Sequence, residues 1–129
     1  MQLPVTALYS GLNTLIMLSL ALQTVRARLR ARVLIGDGGD ALLLRTARAH
    51  ANNVEYVPFG LIILGVLEIN GLGPGVLYGL GTLLTLSRLA HAHGLLKTDG
   101  TSIGRTIGTI GTWSMLFVGS CIAVWSWQP

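Results

Sequence analysis

The chain has 129 residues, 51% of them hydrophobic and only 11% charged, with a formal net charge of +4 and a mean hydropathy of +0.64. A soluble domain carries roughly 25% charged residues, so the composition excludes an ordinary soluble fold and points to a membrane protein. The basic balance does not point to nucleic acid, because the cations flank long apolar runs without interleaved aromatics or a nucleic-acid motif.

Residues 3–25 are apolar apart from scattered Ser, Thr, Asn and Gln, and at about 1.5 Å per residue they can cross a bilayer. No basic region precedes this run; Arg26, Arg28, Arg30 and Arg32 follow it. That order predicts a retained first span rather than a cleaved leader. Residues 36–40, Gly-Asp-Gly-Gly-Asp, form a turn. A second helix is predicted from near Asp40 to about Ile69, a short Gly/Pro-rich turn at 70–75, and a third helix from about Pro74 to Ala92. A loop at 97–102 leads to a last span from Ile103 to Trp127. The reading is one domain over residues 1–129: an all-α, integral membrane four-helix bundle.

All nine Lys and Arg residues lie within 26–48 or 88–105, in the first and third loops or at the helix ends that meet them. The positive-inside rule then makes those loops cytoplasmic and puts both termini outside. Tyr9, Tyr78, Trp125 and Trp127 fall near the outer ends, where amphipathic rings favour the headgroup level. Gly75/Gly79 and Gly104/Gly108, with Gly111 a turn further on, have the spacing that lets helix backbones approach closely in lipid. Cys121 is alone, so no intrachain disulfide can form, and its apolar setting predicts a buried, inert thiol.

The stretch from Arg45 to Pro58 is polar and ionisable, and it runs into an apolar stretch at 59–67. As a helix it places Arg48, Asn52 and Glu55 at i, i+4 and i+7, on one face. Ionisable groups at membrane depth are costly and are usually paired and functional. The other helices add cations at the same end: Arg26 and Arg28, Arg88 with His91, and Arg105 beside Thr106. Guanidinium groups match carboxylates bidentately, and Glu55 can meet an ammonium group, so the cluster suits a zwitterion with more than one carboxylate. Blander readings stand beside this one. Arg26, Arg30 and Arg32 suit lipid headgroups, Arg45 suits a solvated surface, the histidines His50 and His93 suit the surface or an interhelix contact, Glu68 suits snorkelling to water, and Arg48 with Glu55 suits a structural ion pair. No metal site is expected, since His91 and His93 at i,i+2 point apart on a helix.

Arg48-x-His50-x-Asn52-Asn53-x-Glu55-x-x-Pro58-Phe59 resembles the second-helix signature of the MAPEG family, the membrane-associated proteins in eicosanoid and glutathione metabolism. Arg88-Leu-Ala-His91 and Ile103-Gly-Arg105-Thr106 resemble its third- and fourth-helix signatures, so the resemblance covers nearly the whole chain. It implies a bacterial-type, microsomal glutathione transferase-like member in the inner membrane. It implies a homotrimer with glutathione, as co-substrate, bound between protomers near the cytoplasmic side. By position, Arg48, Asn52 and Glu55 would hold the peptide, Arg28 or, as the fallback, Arg26 would reach a carboxylate, and His91 and Thr106 would touch the ligand. Arg105 would stabilise the thiolate that attacks a lipophilic electrophile. Two positions depart from the eicosanoid-forming members: Leu95 replaces a tyrosine one turn after His91, and Ala51 replaces an arginine of the prostaglandin enzyme. Eicosanoid synthesis is not expected. The alternatives are a non-catalytic lipid- or ligand-binding member and a small ion-coupled transporter using Glu55.

Overall fold

A computed structural model describes residues 2–126 and shows four helices: α1 (Pro4–Ala31), α2 (Ala41–Ile69), α3 (Pro74–Lys97) and α4 (Ile103–Trp125). Local chemistry sets their ends. Proline opens both α1 and α3, where its missing N–H has no intrahelical partner to lose. Asp40 caps α2 by accepting from the Leu43 N–H at 2.8 Å, and Ser102 caps α4 by accepting from the Arg105 N–H at 3.3 Å. Between α1 and α2, Gly36, Gly38 and Gly39 all have positive φ, the conformation glycine adopts without steric cost. The third helix runs five residues past the expected Ala92. Trp127 lies outside the described residues.

Helix α1 has no side-chain cap of its own. Instead the Glu68 carboxylate, from the last turn of α2, accepts from the N–H groups of Val5 and Thr6 at 2.9 and 2.7 Å. The first turn of a helix offers unpaired donors and a partial positive charge, and Glu68 answers both. This corrects the reading of Glu68 as a snorkelling acid. It also fixes the start of α1 beside the end of α2, so α1 begins at the same end of the bundle as the α2–α3 turn.

Helices α2 and α3 form the centre, and α1 and α4 pack against that pair with no close backbone approach to each other. At the end bearing Glu68, an apolar core gathers Val5, Tyr9, Leu64, Leu80, Leu84 and Met115. Tyr9 is buried there, with its hydroxyl donating to the Tyr78 carbonyl at 3.0 Å and 2.7 Å from that of Thr82. It is a core residue, not a member of an interfacial belt. Tyr78 and Trp125 are exposed, as expected of one. Cys121 is exposed on the protomer surface rather than buried.

By length and composition, α1, α2 and α4 qualify as membrane spans. Helix α3 is long enough but less apolar, because Ser87, Arg88 and His91 sit in its second half. Those side chains are buried inside the protomer, where protein partners replace lipid contact. The glycines of α4 explain how α3 is covered. A Cβ at Gly104 or Gly108 would lie 2.8 Å from the Ala90 carbonyl oxygen or 2.5 Å from the His91 nitrogen, and one at Gly111 would strike Ser87. Among the described residues a Cβ at Gly75 or Gly79 would meet nothing within 4 Å, so of the two series the α4 one packs within the described protomer.

Candidate functional site

The end of the bundle opposite Glu68 is organised by Arg88, which is 1% exposed. Its Nη2 donates to Asn52 Oδ1 at 2.6 Å and lies 3.2 Å from His91 Nδ1, while Nη1 donates to Thr112 Oγ1 at 3.3 Å. The guanidinium carbon stands 5.7 Å from the centre of the Tyr56 ring, within cation–π range. One side chain therefore ties α3 to both α2 and α4. Arginine has no acceptor to offer, so Nδ1 of His91 accepts and its ring hydrogen resides on Nε2. Thr112 in turn donates to the Gly108 carbonyl at 2.7 Å, which leaves its oxygen free to accept from Arg88.

Above this network opens a cavity of about 570 Å³, within the ordinary range for small-molecule sites. Arg48, Asn52, His91 and Arg105 line it, together with Arg45, Asp99 and Leu95. The sequence-predicted residues thus divide. Four of them share one cavity. Arg105 is set at its rim by donating to the Gly100 carbonyl at 2.6 Å, and the close pass of Gly94 under the Arg105 backbone holds the start of α4 against α3. Thr106 opens instead onto a second hollow of about 290 Å³, which His91 and Arg105 also line. Those two residues stand between the two spaces.

Glu55 and Arg28 are not in the cavity lining. Glu55 does share a stripe with Arg48, but seven residues of helix advance it by roughly 10 Å, past Asn52, and it is exposed. No ion pair between Arg48 and Glu55 forms. Among the described residues the ion pair is Arg45 with Asp99, at 3.1 Å, and Arg45 is a wall of the cavity rather than simply solvated. Arg28 turns onto the loop after its own helix, donating to the carbonyls of Leu34 and Gly36 at 3.2 and 2.8 Å. The expectation that every helix contributes a cation to one site therefore fails for α1 within a protomer. Among the described residues no cluster of His, Cys, Asp and Glu fits a metal ion.

Sequence reading placed Arg88 at this end without recognising it as the hub, and missed Tyr56 and Thr112. A usable signal existed for Arg88: an arginine in an apolar helix with His91 one turn on must find partners inside the protein. Thr112 carried no comparable signal.

The MAPEG family model matches residues 6–125. The chain belongs to the MAPEG family. This MAPEG protein is also 36% identical, over 90 residues, to the inner membrane protein YecN of Escherichia coli strain K12, a match spanning 70% of this chain and 69% of that protein. The same figures hold for YecN of Escherichia coli O6:H1 strain CFT073. Family and helix composition together make it an integral membrane protein.

Proposed function

We propose that this protein is a glutathione-dependent membrane transferase that adds the glutathione thiolate to a lipophilic electrophile. The observation that carries the reading is the gathering of Arg48, Asn52, His91 and Arg105 around one cavity. Two guanidinium groups, an amide and an imidazole suit a peptide with two carboxylates. A guanidinium beside a thiol favours its charged form, and the thiolate is the nucleophile. Arg105 takes that role; Arg48 and Asn52 hold the peptide. The reaction forms a carbon–sulfur bond and expels the electrophile's leaving group, and the thiol proton passes to solvent through the open rim.

Exposed Arg48, Glu55 and Thr106 fit a site completed by a neighbouring protomer, in keeping with the trimer that the family resemblance implies. There Glu55 would meet the γ-glutamyl ammonium and Arg28 would leave its loop to meet a carboxylate. The basic loops face the cytoplasm, where glutathione is drawn from, and the termini face outward. Purified protein mixed with chlorodinitrobenzene and glutathione should give conjugate, with Arg105→Ala at least tenfold slower. Equal rates for the two proteins would remove Arg105 as the thiolate stabiliser. Native mass spectrometry should show three chains per particle.

One observation favours a second reading. Leu95 lines the cavity and presents a hydrocarbon surface where eicosanoid-forming relatives have a hydroxyl. A non-catalytic member that binds lipid would show calorimetric heat with a fatty acid or phospholipid and none with glutathione. The ion-coupled transporter finds less support, because Glu55 lies outside the cavity lining.

A further inference from the structure

We propose that the groove between α1 and α2 binds a neutral lipophilic molecule by its hydroxyl group, which docks between Asn13 and Asn53. Both asparagines are buried, at 0% and 1% exposure. Both line a groove of about 250 Å³, with walls that include Met17, Val57 and Leu61. They lie near the middle of α1 and α2, some 14 Å along α1 from its start at 1.5 Å per residue, at a depth where bulk water is absent. The groove shares no lining residue with the cationic cavity. Asn52 and Asn53, adjacent on α2, point to different sites.

The hydrogen bonds define what the groove lacks. Thr85 donates to the Gly81 carbonyl at 2.9 Å, so its oxygen must accept from Asn13. Asn13 Nδ2 donates to that oxygen and to the Tyr9 carbonyl, both at 2.9 Å, and this fixes which way its amide points. Both amide hydrogens are thereby used, and among the described residues Asn13 Oδ1 has no partner. Asn53 has none for either Oδ1 or Nδ2.

Unsatisfied polar groups at membrane depth are costly and call for a partner. Two amide oxygens and one amide NH2 are left open here, so an occupant that both donates and accepts a hydrogen bond suits them. No ionisable residue lines the groove, which disfavours an acid or an amine. A hydroxyl meets both demands, and the apolar walls suit a hydrocarbon body. Water alone suits it poorly: the volume equals roughly eight waters at about 30 Å³ each, and each needs two to four polar partners.

The test uses purified full-length protein in lipid nanodiscs and a long-chain primary alcohol bearing a photoreactive diazirine next to the hydroxyl-bearing carbon. Saturable labelling should fall on residues 13–17 and 53–61, and 1-decanol should displace it. The methyl ether of the probe accepts but cannot donate, and should label at least tenfold less. Asn53→Leu should lose labelling tenfold or more. Met17→Trp, which fills the groove and keeps both amides, should do the same, so a folding defect in one variant leaves the other decisive. Mass spectrometry of lipid released by the alcohol separates a bilayer source from a free lipophile, and either supports the site. Equal labelling by alcohol and ether, labelling unchanged in both variants, or no saturable labelling overturns it; the groove then holds only water or a neighbouring protomer.

Discussion

The two ends of this bundle are built from opposite materials. At the Glu68 end, α1 to α4 close around Leu64, Leu84 and Met115, all fully buried, and the main polar device is a carboxylate capping a helix. At the Arg88 end the apolar cluster shrinks to Leu20, Ala49 and Ala92 with their neighbours, and an arginine network and an open cavity replace it. One end is filled and holds the helices together. The other is left partly hollow, and there the Arg88 guanidinium joins α3 to α2 and α4 beside close glycine contacts and a small apolar cluster. Lipid gives apolar side chains little reason to associate, so packing and hydrogen bonds carry the helix contacts. On the proposed function, damage at the filled end costs stability alone, whereas damage at the hollow end costs stability and ligand binding together.

Arg88→Ala should break this contrast most severely. It removes hydrogen bonds to Asn52, His91 and Thr112, and bonds to a charged group contribute about 1.5–3 kcal/mol each. A loss of roughly 4 kcal/mol in unfolding free energy is expected in detergent, together with loss of glutathione binding. Arg88→Lys should not rescue binding, since an ammonium is a point charge and cannot span the same partners. Leu84→Ala, at the filled end, should cost about 3 kcal/mol and leave the glutathione dissociation constant unchanged. If Leu84→Ala also abolished binding, the two ends would not be separable.

Glu68→Gln is the milder test of the filled end. It keeps the shape but removes the charge at the start of α1, and a loss of about 1 kcal/mol is expected, read as a lower midpoint of thermal unfolding. Asp99→Ala should have the smallest effect. Its pair with Arg45 is part-exposed, with Asp99 67% exposed, and such pairs contribute about 0–1 kcal/mol. Its use is in sharpening the comparison: it frees Arg45 at the cavity wall, so glutathione should bind as well or slightly more tightly.

The helices were legible because their punctuation is chemical. Asp40 and Ser102 cap, Pro4 and Pro74 open, and the glycines of 36–39 turn. Arg48, Asn52, His91 and Arg105 were legible as neighbours, and they line one cavity, because cations at membrane depth need a shared reason to be there. The rest was hidden for identifiable reasons. Helical spacing reports which face a residue occupies but not how deep it lies, and so it grouped Glu55 with Arg48. It cannot show that Arg28 would find closer acceptors in its own loop. Tyr9 read as an interfacial ring because its position along α1 fits one; only the gap at Gly81, where a Cβ would strike the Tyr9 ring, reveals that it turns inward. Glu68 caps a helix more than sixty residues away in sequence, and no local pattern encodes that pairing.

Calorimetric titration of glutathione into the purified protein, beside the double variant Arg48→Ala/Arg105→Ala, tests the cationic cavity most directly. The cavity predicts saturable binding by the native chain and at least tenfold weaker binding by the variant, a difference of about 1.4 kcal/mol or more. No heat with the native chain, or equal affinity for both proteins, would contradict it.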